Sequence, residues 1–229
     1  MFTPYDWQES MGNRASYIEG KLSQGSPAIA VSIDAGILVL TYRRQARKIY
    51  EIYDRLIFAA IGQQSDVESL RTAAVEFTHQ EGYNRSEQDV TIQRVAAALS
   101  GPLKRAFADF QTAPFVARAL FGEVHMNPEE DLYYTLDYDG NFTVSRRHAF
   151  VAGTDTIQNN LRTKLADFNL KTTPEKAVEQ LKEIWAASLD PENEEKDDEQ
   201  VGDLKPDAVL LERGGERENR FRDLTPEQF

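Results

Sequence analysis

Few residues in this chain can carry chemistry, and those few are scattered. There is no cysteine, which removes thiol nucleophiles, disulfides and cysteine-based metal sites. The three histidines, His79, His125 and His148, lie far apart and lack the spacing of a metal-ligand set. No metal and no cofactor is expected. Lys48 opens an apolar and β-branched stretch; from the residues alone it reads as a half-exposed strand lysine paired with a nearby acid such as Glu51. Charge is the other conspicuous feature. The net charge is −12, and residues 190–203 supply −7 of it from eight acids and one lysine. Such a run reads as a solvated, flexible segment. Arg213, Arg217, Arg220 and Arg222 form a basic patch beyond it, which reads as a solubilising tail. A chain this acidic lacks the basic face that phosphate neutralisation needs, so nucleic acid is disfavoured as a partner.

The elements that would position these residues follow from hydrophobic spacing. Residues 1–6 have turn character and end at a possible cap, Asp6. Trp7, Met11, Ala15, Ile18 and Leu22 then recur as one helical stripe, which predicts a helix over 7–23. Ala28 to Leu40 predicts two short buried strands joined at Asp34-Ala35-Gly36, and residues 48–61 a second pair turning at Asp54-Arg55. Helices are expected over 66–80 and 89–111, the second kinked at Gly101-Pro102. Strands are expected at 115–124, 131–137 and 142–152, with a tight turn at Asp139-Gly140. Two more helices follow, over 155–168 and from the Thr172-Thr173-Pro174-Glu175 start signal to Leu189. A last strand covers 208–212. Strands and helices come in blocks, which argues against an alternating parallel fold. A single layered domain over 7–212 is expected, an α/β (α+β) sandwich in the order α, β, β, α, with a linker at 190–205 and a charged tail at 213–229. No stretch reaches the roughly 18 uninterrupted apolar residues of a membrane span. Met1 to Trp7 lacks the basic region and apolar core of a signal peptide. The cytoplasm is the expected location.

This order of elements, together with particular residues, resembles the bacterial proteasome α subunits. Met1 to Gly25 looks like their N-terminal extension and first helix. Lys48-Ile49-Tyr50-Glu51-Ile52-Tyr53-Asp54-Arg55-Leu56, followed by Phe58-Ala59-Ala60-Ile61-Gly62, is similar to the family's most recognisable block. Ala113-Pro114-Phe115 and Leu120 to Val124 resemble the strand after the second helix, and Ala208 to Leu224 resembles the α-type tail. The resemblance implies a sandwich of the N-terminal-nucleophile hydrolase type. It also implies a non-catalytic subunit of an outer, heptameric ring, partnered by itself, by proteolytic β subunits and by an AAA+ ATPase activator. By the same resemblance, Phe2, Thr3, Pro4, Tyr5 and Asp6 would form the gate. Lys48, with Gly25 and Gln63 beside it, would receive the activator's C-terminal carboxylate. Gln63 departs from the apolar residue often found at its position.

Catalytic members of this family use an N-terminal threonine freed by cleavage after a glycine, with its own α-amine as base. Ser26 stands at that place after Gly25, and Lys48 at the place of the lysine that keeps the local potential positive. Against catalysis, Pro27 follows Ser26, Tyr42 takes the acid's place, and residues 1–25 read as a retained helix. Two alternatives remain: a self-compartmentalising peptidase using Ser26, and a homo-oligomeric proteasome-like protein without β partners.

Overall fold

A computed structural model of the chain describes residues 4–189, 204–214 and 219–224. Two five-stranded antiparallel sheets stack face to face, in strand orders β10-β9-β2-β1-β8 and β3-β4-β5-β6-β7. The first sheet opens with β1 (Ala28–Ile33) and β2 (Gly36–Arg43), whose register closes the hairpin at Ile33 and Gly36. Nearly every residue of both strands is buried. That matches their unbroken apolar runs, since a strand covered on both faces has no reason to alternate. β3 (Ile49–Tyr53), β4 (Leu56–Gly62), β5 (Ala117–Glu123) and β6 (Leu132–Leu136) build the second sheet as a meander.

Two helices cover each outer face. α2 (Gln64–Asn84) and α3 (Ile92–Ala108) place Val67, Leu70 and Ala74, and Ile92, Val95 and Leu99, on the β3–β7 sheet around Phe58 and Phe121. α4 (Asp155–Leu165) and α5 (Pro174–Ala186) set Leu161, Leu165, Leu181 and Trp185 on the other sheet, against Val31, Leu38 and Leu40. Between the sheets lies a third apolar layer containing Ala30, Val39, Ile57, Leu120 and Val209. The order α, β, β, α is the expected one.

The first helix does more than cover a face. α1 (Pro4–Leu22) drives Ile18 and Leu22 into the end of the inter-sheet layer, and neither retains any exposed surface. Its C-terminal turn lies against Gly153, where an added Cβ would fall 2.0 Å from the Leu22 carbonyl oxygen. Only a residue without a side chain permits that approach. Arg14 fixes the other side of α1, donating to the carbonyls of Ala106 and Thr112, both 3.0 Å away, at the end of α3. The helix begins at Pro4, so Tyr5 and Asp6 sit in its first turn and not in a segment before it. Met1, Phe2 and Thr3 lie outside the described residues.

Three expectations are corrected. The single strand over 142–152 is two: β7 (Phe142–Ser145) pairs with β6, and β8 (His148–Val151) crosses to pair with β1 in the other sheet. The crossing turns at Arg146-Arg147, with Arg147 at φ 71°. Two arginines carry none of the usual turn chemistry, so the pattern gave no break. The last strand, β9 (Lys205–Glu212), begins at residue 205, three residues before the expected start. The expected flexible tail contributes β10 (Phe221–Asp223), antiparallel to β9, with Phe221 packed on the inter-sheet layer. Residues 190–203, 215–218 and 225–229, which hold most of the expected linker and tail, lie outside the described residues.

Arg213, read as part of that tail, is instead a keystone. Its guanidinium forms a two-pronged pair with the wholly buried Asp131 (2.6 and 2.8 Å) and donates to the carbonyls of Ile33 and His125. One side chain thereby joins the β1–β2 turn, the β5–β6 connection and β9.

Candidate functional site

The inter-sheet layer ends in a cavity of about 880 Å³. The change from core to cavity follows the strands. On one face of β2 the sequence runs Val39, Thr41, Arg43, and on the paired face of β9 it runs Val209, Asp207, Lys205, in the register Val39–Val209, Thr41–Asp207, Arg43–Lys205. Apolar residues thus give way to a buried polar pair and then to two cations. Ser26, Lys48, Arg44, Gln64 and Lys205 line the cavity.

Lys48 immediately precedes β3 and is half-buried. Burial pulls its ammonium down to about 8, and the carboxylate of Asp207 partly opposes that shift. At neutral pH it is a cation, held where an anion entering the cavity meets it with little water between. Asp207, with 1% of its side chain exposed, forms an ion pair with Arg43 at 3.2 Å and accepts a hydrogen bond from the Lys48 main-chain N–H. Burial raises its pKa, Asp223 adds to the rise, and Arg43, Arg47 and the Lys48 N–H oppose it. The acid acting on Lys48 is therefore Asp207, and not Glu51 as the local sequence implied. Glu51 is exposed, and its own pKa is raised by partial burial and by Asp54.

The other two residues grouped with Lys48 adjoin the cavity without lining it. Gly25 closes α1 through its N–H to the Leu22 carbonyl (2.9 Å). A Cβ there would lie 3.1 Å from that oxygen and 3.2 Å from the Cβ of Ile61, so the chain is tightly fitted to the end of β4. Gln63 is exposed. Its N–H donates to the Val116 carbonyl (2.9 Å), and its carbonyl accepts from Asp66 and Val67 at the start of α2. Their chain neighbours Gln24, Ser26 and Gln64 form the wall itself.

Ser26 and Lys48 share this wall, which is the pairing a serine–lysine hydrolase would use. Two features oppose that use. First, Ser26 follows a helix whose last turn is built into the core, so freeing an α-amine beside the hydroxyl would require that helix to be cut away. Second, Tyr42 stacks on Trp185 with ring centroids 4.1 Å apart. Trp185 Nε1 and Thr41 Oγ1 both donate to the Pro27 carbonyl, at 3.1 and 2.8 Å. The strand end that would carry an orienting acid carries Tyr42, packed on Trp185 of α5, and the backbone after Ser26 is fixed by two hydrogen bonds.

Asp207, Arg43, Arg44 and Lys205 escaped the sequence because their grouping depends on the β2–β9 pairing, which joins distant parts of the chain. The Arg43-Arg44 pair just after an apolar strand was the one local signal. Among the described residues no group of acids and histidines is arranged to hold a metal ion, and no helix is long and apolar enough to cross a membrane.

Comparison with known proteins is consistent with this architecture. A family model described as "Proteasome subunit" matches residues 24–198. "Proteasome subunit alpha" of Kineococcus radiotolerans is 32% identical over 169 residues, covering 71% of this chain and 70% of the relative. The protein of the same description from Xylanimonas cellulosilytica is 32% identical over 148 residues, 64% of this chain and 60% of the relative. That from Thermobifida fusca is 30% identical over 148 residues, 64% of this chain and 59% of the relative. The chain thus spans about 60% of the length of the last two. From its two stacked sheets with paired outer helices, and from these matches, the chain belongs to the proteasome subunit family, and these relatives are subunits of the alpha type.

Proposed function

We propose that this chain is a non-catalytic α-ring subunit of a bacterial proteasome. The observation that carries the proposal is the seating of α1: Ile18 and Leu22 are wholly buried and the helix end is fitted against Gly153. A propeptide must leave, whereas this helix closes the end of the core. Copies of the chain associate head to tail into a closed ring, which requires heterologous interfaces; seven copies is the number the family implies. Such rings would cap two rings of proteolytic β subunits in the cytoplasm. The segment from Phe2 and Thr3 through Pro4, Tyr5 and Asp6 would narrow the entrance, and selectivity would come from confinement of the proteolytic sites.

The cavity at Lys48 supplies the second half of the function. A half-buried ammonium beside a glycine-tight turn is suited to a carboxylate, because a charge-assisted hydrogen bond gains strength where water is excluded. Lys48, with Gly25 and Gln63 shaping the rim, would receive the C-terminal carboxylate of an ATPase activator. The test is negative-stain microscopy of the chain co-expressed with a candidate β subunit. Four-ring barrels with this chain in the outer rings support the proposal. Rings of this chain alone, with the β chain excluded, favour a homo-oligomeric particle and refute it.

A further inference from the structure

Among the described residues the cavity carries more positive charge than one carboxylate satisfies. Among the described residues three cations line it, Arg44, Lys48 and Lys205, and no acid does. Two neighbouring arginines are already matched, Arg43 by Asp207 at 3.2 Å and Arg47 by Asp223 at 2.8 Å. Behind the wall, Asp207 faces Lys48. Arg44 and Lys205, both exposed, make no ion pair among the described residues, in a chain whose net charge is −12. The rest of the wall is mostly amide and hydroxyl, with Ala46 and Leu204 its apolar members. The volume lies toward the upper end of the roughly 300–1,000 Å³ typical of ligand sites, so it admits several residues of an extended peptide.

We propose that Arg44 and Lys205 form a second anion subsite beside Lys48. The tail this pocket takes is then a C-terminal peptide with an acidic side chain among its last few residues. The inference rests on the docking role of Lys48. The terminal carboxylate meets Lys48 in the half-buried part of the cavity, and an aspartate or glutamate side chain meets Arg44 and Lys205 at the mouth. The strand register sets this division: Lys205 stands opposite Arg43 at the open end of the β2–β9 ladder, and Arg44 follows at the strand end. Exposed cations at a rim give modest, salt-sensitive selectivity.

The test uses the full chain in its assembled form and fluorescence anisotropy with three labelled peptides of equal length. One carries glutamate at the second and third positions from a free C-terminus, one carries glutamine there, and one is the glutamate peptide amidated at its end. The glutamate peptide should bind about tenfold more tightly than the glutamine peptide at 0.15 M salt. That advantage should vanish in an Arg44→Gln/Lys205→Gln variant and at 1 M salt, where the screening length falls to about 3 Å. Charge reversal, Arg44→Glu/Lys205→Glu, should leave the glutamine peptide preferred. Equal affinity for the two free-acid peptides, both dependent on Lys48, overturns the subsite and leaves the docking role standing. Affinity unchanged by amidation or by Lys48→Met overturns the docking role, and the subsite with it.

Discussion

Substitution of Gly153 by alanine tests whether α1 is part of the folded core. The new Cβ would lie 2.0 Å from the Leu22 carbonyl oxygen, 2.5 Å from its carbonyl carbon and 2.7 Å from the Ser23 Cα. All three are backbone atoms, so no side chain can rotate aside. Restoring ordinary contact of about 3.4 Å requires the helix end to retreat by roughly 1.4 Å. Ile18 and Leu22 ride on that turn, and each is worth about 1.5–3 kcal/mol when fully buried. Losing half of their burial costs about 1.5–3 kcal/mol, with backbone strain in addition. In urea, Gly153→Ala should lower the unfolding midpoint accordingly. In hydrogen exchange, amides 15–22 should lose protection while those of α5 keep theirs. An alanine variant of unchanged midpoint, with α1 protected as before, would refute the claim that this helix is locked into the core.

Other outcomes follow from the same contacts. Asp131→Ala leaves the Arg213 guanidinium buried without its carboxylate and should cost about 3–5 kcal/mol in chemical unfolding; replacing both partners by apolar residues should cost less. Trp185→Phe keeps an aromatic ring against Tyr42 but removes the bond to the Pro27 carbonyl. With Thr41 still donating there, the loss should be about 1 kcal/mol, checked by thermal melting. Binding of a carboxylate-ended peptide should be strongest at neutral pH and fall as pH rises through about 8, because the depressed pKa of Lys48 means its ammonium is lost there. Asp207→Asn removes the charge that holds that pKa up, so the fall should move to lower pH. Anisotropy titrations at several pH values check both, and a profile flat from pH 7 to 9.5 would remove Lys48 from the interaction.

Much of this architecture was legible because local signals agreed with the fold. The β1–β2 hairpin declared itself through apolar runs on either side of Asp34-Ala35-Gly36. Pro174 marked the start of α5, and the stripe from Ile92 to Leu103 marked α3. The β7–β8 crossing was not legible, since Arg146 and Arg147 offer no turn chemistry and the β-rich residues on either side read as one strand. Lys48 was found by its place in a block of residues, but its electrostatic partner was not. Asp207 reaches it only through a strand pairing that no local pattern announces. Arg213 was misjudged for the same reason: with the arginines that follow, it looks like a solvated tail, and only the long-range meeting with Asp131 makes it buried. The residues expected to form a gate stand apart again, since Phe2 and Thr3 lie outside the described residues and Tyr5 is exposed in the first turn of α1.

On the proposed function, this chain shapes and gates a proteolytic chamber without cleaving anything itself. Peptide hydrolysis tests it most directly, measured with this chain alone, with a candidate β subunit alone, and with the two together. Activity that requires the β chain, and that Ser26→Ala leaves unchanged in the assembled particle, is the predicted result. Hydrolysis by this chain alone, abolished by Ser26→Ala, would overturn the non-catalytic role and make Ser26 a nucleophile.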